Sequence, residues 1–304
     1  MSARRPLPPI DPHPSEDEEW GETSPGFAEF SPGSGIRDAL GWIAAVLLML
    51  TLAGWLAAYS AAQATSEEAA LPALERAVVV LTEIDGLLEI HGADLAAQVA
   101  AGERVELPGY PLDVRVAASQ AQTPSAMRAS LLAESAALLR TQGSGAFADP
   151  SGDLPVVSRL SSAGLMQAVI DGLSAARHDR WAGYVRPLGL ASAALAAVSL
   201  LFAVGLGRFV RLGSVAVAAA VLVVVPTVAL RVSIGFVGED DLIGNEAREI
   251  ARALLGGGVR NALWLAVAGL GILVPAAVLD RVFLDSERPR LLTRRPRASE
   301  ATRE

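Results

Sequence analysis

Two histidines sit beside carboxylates in this chain: His91 stands between Glu89 and Asp94, and His178 precedes Asp179. Imidazole next to carboxylate is the pairing from which general bases and metal sites are built. A metal takes several ligands at once, however, and neither histidine has another at i+4 or acids repeating at ligand spacing. Both are therefore read as packed or interfacial residues. The run Glu239-Asp240-Asp241 could attract a cation, but it lacks the alternating oxygen pattern of a calcium loop, and acids at a helix start are explained by the macrodipole. No Gly-x-Ser-x-Gly, His-Glu-x-x-His or phosphate-loop motif occurs. No catalytic, cofactor-binding or metal residue is assigned, and the expectation is a protein that is not an enzyme.

Composition narrows the classes further. The chain has no cysteine, so disulfides and thiolate metal sites are absent. All 25 basic residues are arginine against 33 acids, a net charge of −8 that argues against a nucleic-acid binder. Apolar residues make up 52% of the chain but aromatics only 5%, and the apolar ones are clustered. Uncharged runs cover residues 39–66, 187–207, 212–230 and 261–279, each near or above the ~20 residues that cross ~30 Å of hydrocarbon as a helix. Asp38, Arg186, Arg208, Arg211, Arg231, Arg260 and Asp280 close the runs, as expected where a charge at mid-bilayer costs ~2.5 kcal/mol or more.

The spacing predicts a mainly α, integral membrane protein with four transmembrane helices, at residues 38–62, 187–207, 212–230 and 261–279. Orientation follows from arginine placement, because short cytoplasmic loops carry the positive excess. Residues 207–211 hold Arg208 and Arg211, and the tail from Arg281 holds seven arginines in 24 residues, whereas the segment 63–186 holds nine in 124. Both termini are thus expected in the cytoplasm of a cell membrane, with residues 63–186 and 231–260 outside. Trp42, Trp55, Tyr59, Trp181, Tyr184 and Trp264 fall near span edges, where amphipathic rings favour the headgroup level. Ala62-Gln63-Ala64 has the small residues of a signal-peptide cleavage site, but the long run before it and the 38 preceding residues speak for an uncleaved first span.

Residues 1–37 carry seven prolines and the acid run Glu16-Asp17-Glu18-Glu19, a composition that predicts a disordered tail; Pro6-x-x-Pro9 within it reads as plain solvated chain. The outer segment 63–186 is expected to be a mostly helical domain. Leu74, Ala77, Leu81, Ile84, Leu88, His91 and Leu95 recur at three and four, the seam of one packed helix. Val105 and Leu107 facing Leu112, Val114 and Val116 across Pro108-Gly109 favour a small β-hairpin with a type II turn. Thr123 and Pro124 read as N-cap and first residue of a helix that stops near Gly143, and a third helix follows from about Ser158. Pro187 suits a first-turn position or a kink, and Pro226 and Pro275 should kink or end their spans. In residues 231–260, Ile243, Ala247, Ile250 and Leu254 form one face of a short amphipathic helix ended by Gly256-Gly257-Gly258, lying either in the interface or beneath the outer domain.

All four expected spans lack Asp, Glu, His, Lys and Arg, which disfavours proton-coupled transport and charge-ring channels. The expected role is a non-enzymatic extracytoplasmic binding, sensing or scaffolding protein with a membrane or envelope protein partner. The alternative is a membrane subunit of a transport or lipid-handling complex. The order of one span, an outer domain and three more spans is similar to permease-like subunits found beside cell-division and macrolide-export transporters, though their long cytoplasmic segment between spans two and three is missing here. The partners expected are the lipid bilayer and no nucleic acid, and Arg288, Arg290, Arg294, Arg295 and Arg297 are placed to meet anionic lipid below span four.

Overall fold

A computed structural model describes residues 32–148, 161–202, 205–235 and 241–292, with side chains for those between 39 and 282. The Pro6-x-x-Pro9 segment, the acid run at 16–19, Ser158, Glu239, Asp240, Arg294, Arg295 and Arg297 lie outside the described residues.

The described chain is almost wholly helical. Its elements are α1 Pro32–Ala64, α2 Glu67–Thr82, α3 Ile84–Ala100, β1 Val105–Glu106, β2 Arg115–Val116, α4 Pro124–Gln142, α5 Ser162–Gly172, α6 Ala175–Phe202, α7 Gly207–Ile234 and α8 Leu242–Leu292. Four of these helices, α1, α6, α7 and α8, are long and apolar enough to cross a membrane. Their outer faces are apolar too: Leu190, Leu201, Val225 and Val267 are among many large side chains more than half exposed. A helix that is apolar all round and uncovered by protein has hydrocarbon as its natural solvent.

Helix α1 is central among the four, packing on α6, α7 and α8, while α7 and α8 form the tightest pair. That pair meets at backbone distance. A Cβ on Gly213 would stand 2.7 Å from the Gly269 carbonyl oxygen, and one on Gly269 would stand 3.0 Å from the Gly213 oxygen. Close approach of this kind is what small residues permit where no hydrophobic effect drives helices together. In α6 the closely packed glycine is Gly189, where a Cβ would meet Trp55 Nε1 at 3.1 Å, whereas Ala193 and Ala197, one and two turns further on, are exposed. Trp55 is accordingly a packing residue, stacked on Tyr59.

The remaining elements build a head at one end of the four long helices. Leu74, Ala77 and Val78 of α2, Leu131, Ala136 and Leu139 of α4, and Met166 and Ile170 of α5 share one buried core. β1 pairs antiparallel with β2 in the register Val105↔Val116, and Val105, Leu107, Leu112, Val114 and Val116 all turn into that core. Between the strands Gly109 has φ +75° and the Tyr110 N–H donates to the Leu107 carbonyl at 3.2 Å, closing a four-residue turn at Pro108-Gly109. Thr123 caps α4, its Oγ1 accepting from the Ala126 N–H at 3.2 Å, and Pro124 occupies the first turn. Gly143, at φ +62°, ends the helix.

Several expectations are corrected. The seam from Leu74 to Leu95 is two helices, because Glu83 adopts left-handed φ 48°, ψ 37° between α2 and α3; the chain bends there and α3 buries only Ile84 and Leu95. With that split the helix expected from about Ser158 is the fourth of the head, α5, described from Ser162 with the Ser161 Oγ accepting from the Gly164 N–H at 3.1 Å. Pro187, Pro226 and Pro275 all lie inside helices that continue past them, so none ends a span and Pro187 is not in a first turn.

The largest difference concerns α8. Gly256-Gly257-Gly258 does not stop a helix; the chain runs helical for 51 residues. At 1.5 Å per residue that is roughly 77 Å, more than twice the hydrocarbon thickness of a bilayer. Its first turns project from the long-helix bundle into the head, where Ala247 and Ile250 are buried in the same core as Leu74 and Val78. The amphipathic face expected at 243–254 is thus covered by the head.

Candidate functional site

Where the head meets the long helices, α1, α5, α6, α7 and α8 enclose a cavity of about 550 Å³, within the range of about 300–1,000 Å³ typical of ligand pockets. Its roof is α5, through Leu165, Ala168 and Val169. Its walls are Ala57 and Ala61 of α1, Val223 and Leu230 of α7, and Leu254 of α8, with Trp181 of α6 at one side. Helix α6 packs mainly along α1 and only slightly along α7.

No lining residue carries a charge. The hydroxyls in the wall are already engaged: Thr227 Oγ1 donates to the Val223 carbonyl at 2.7 Å, Thr65 Oγ1 to the Ala61 carbonyl at 2.8 Å, and Ser60 Oγ accepts from Asn261 Nδ2 at 3.1 Å. The interior consequently offers a guest dispersion and apolar contact with little hydrogen bonding.

The rim is different. Arg140, in the last turn of α4 and half-buried, donates from Nη1 to the carbonyls of Thr65 at 3.0 Å and Leu173 at 3.5 Å, both cavity-lining residues. Among the described residues it has no carboxylate partner, in contrast to Arg76, Arg115 and Arg128, each of which is paired. His178 Nδ1 lies 3.2 Å from Thr65 Oγ1.

The residues singled out in the sequence are scattered. His91 stands on α3 in a loose 4.0 Å contact with Asp94, far along the chain from the cavity elements. Only His178 reaches the rim. Asp241 caps α8: Oδ1 accepts from the Ile243 N–H at 3.3 Å and Oδ2 from Ser162 Oγ at 2.5 Å, tying α8 to α5. Among the described residues no three His, Cys, Asp or Glu side chains gather where they could hold a metal. Arg140 and the cavity carry no signal in sequence: the lining is mostly Ala, Leu, Val, Thr and Gly drawn from five helices, and a cation in a last helical turn is ordinary. No protein-family model, curated protein or solved structure matches the chain.

Proposed function

We propose that this is a multi-pass protein of the cell membrane that holds its head, residues 63–186, outside the cytoplasm and both termini inside, and that it acts without catalysis as a binding or sensing protein. The observation that supports a relay is the shared core of head and α8. Ala247 and Ile250 are buried among head residues, while the same helix continues along α7 through Gly269. A ligand or envelope protein that tilts the head therefore acts on α8 as a lever, since a close-packed core transmits displacement. The arginine distribution supports the orientation.

The test is photo-crosslinking from the head in native membranes. A photoreactive residue at Ile90, which is 76% exposed, is expected to capture one discrete envelope partner. Capture of nothing there and at other exposed head positions would remove the binding reading. The apolar cavity favours a second reading, a subunit that handles lipid.

A further inference from the structure

We infer that the cavity beneath the head is a binding site for one anionic phospholipid of the surrounding bilayer, with a hydrocarbon chain in the cavity and its phosphate at Arg140. This rests on the membrane-spanning reading. Three features converge on it.

The first is solvent. The cavity lies between α5 and the ends of α1, α6, α7 and α8, the helices whose outer faces belong in hydrocarbon, so a lipid chain is an apolar guest at hand there. Its walls have no charge, and their hydroxyls are engaged within the protein. Water would find few partners there, whereas a chain gains contact on every side.

The second is level. Thr65 follows the end of α1, and Trp181 lines the cavity with Tyr184 in edge contact at 6.3 Å. Such rings favour the headgroup depth, so the rim stands where phosphates are.

The third is charge. The Arg140 guanidinium has committed Nη1 to two backbone carbonyls, and its Nε and Nη2 hydrogens have no protein acceptor among the described residues. A guanidinium fork presents two parallel N–H groups to phosphate oxygens. Arg177 and Arg180, exposed in the first turns of α6, add positive potential, offset in part by Asp179 between them and by Asp171 of α5, whose carboxylate accepts from the Ser144 N–H at 2.8 Å; with Arg140 the balance of these five groups is positive. A zwitterionic headgroup would bring its ammonium toward this same positive rim.

The experiment uses the full chain, purified in detergent from washed membranes and mixed with either phosphatidylglycerol or phosphatidylcholine of matched chains, with retained lipid counted by native mass spectrometry. One phosphatidylglycerol per chain is expected to be retained in preference to phosphatidylcholine. Arg140→Gln is expected to weaken that retention about tenfold, the loss of one charge-assisted hydrogen-bonded contact, and Arg140→Lys to restore part of it. Because Arg140 also holds two backbone carbonyls, Ala168→Phe provides an independent variant: Ala168 is exposed in the roof, so the ring grows into the empty volume and should displace lipid without disturbing the core. Equal retention of both lipids, or unchanged retention in Ala168→Phe, would overturn the proposal. Recovery of the chain in a carbonate-washed soluble fraction would instead refute the membrane-spanning reading beneath it.

Discussion

Arg76 Nε of α2 lies 2.6 Å from Glu246 Oε1 of α8, and its Nη2 reaches Glu249 Oε1 at 3.1 Å. The pair joins the head to the helix that continues into the bundle of four long helices. Its carboxylates hold the Arg76 pKa above the usual range, mainly by accepting hydrogen bonds from the guanidinium, Glu249 first and then Glu246. Yet the side chains are partly in solvent, and exposed ion pairs contribute only about 0.2–1 kcal/mol. The pair sets register; the buried contact of Ile250 supplies the energy.

That division is measurable. Arg76→Ala is expected to destabilise the protein by less than about 1 kcal/mol, and Ile250→Ala, at 2% exposure, by about 2–5 kcal/mol, as read from thermal unfolding in detergent. Were the start of α8 free in the interface, truncating Ile250 would leave unfolding unchanged.

The α7 to α8 contact makes a second expectation. Gly213→Ala places a methyl 2.7 Å from the Gly269 oxygen and 2.8 Å from Leu273, so the helices must separate at a cost of about 1–3 kcal/mol. Gly271→Ala is the control, since a Cβ there meets nothing within 4 Å. It should be neutral or stabilise by up to about 1 kcal/mol through higher helix propensity. Melting temperatures of the two variants should move apart.

Tyr110 gives the head a pH dependence at the alkaline end. Burial pushes its phenol above the ordinary 10.0, against the weaker opposing effect of hydrogen bonds with Ser135, at 2.8 Å, and Thr82. A raised folded-state pKa contributes stability that is fully present below the unfolded value and is lost as pH rises through the folded one. The absorbance difference at about 295 nm between wild type and Tyr110→Phe should accordingly have a midpoint above the free-tyrosine value of about 10. A midpoint at or below that value would mean that the ring is not held in the core.

What could be read in advance, and what could not, has a physical pattern. The four long helices were legible because a charge-free run such as 212–230 has few alternatives to hydrocarbon, and the cap at Thr123-Pro124 because one residue pair determines it locally. The break at Glu83 was hidden, since Leu81, Ile84 and Leu88 keep helical spacing through it while the backbone bends. Gly256-Gly257-Gly258 misled for the opposite reason. Three glycines cost about 1 kcal/mol each in a helix interior, but Ala247 and Ile250 anchor one side, Ala262 the other, and Gly258 packs near Ser60. Tertiary contact overrode propensity. The cavity was illegible in principle, because it is a volume that Ala57, Ala168 and Leu230 leave unfilled, and a void has no residue of its own.

The threading itself is tested most directly by two-sided cysteine labelling, for which a chain without cysteine has no background. Ile90→Cys in the head and Ser299→Cys in the arginine-rich tail would be treated with an impermeant maleimide on intact cells, then again after permeabilisation. With the head outside and the tail inside, position 90 is expected to be modified in intact cells and position 299 only once the membrane is opened. Modification of both from the same side would contradict this threading.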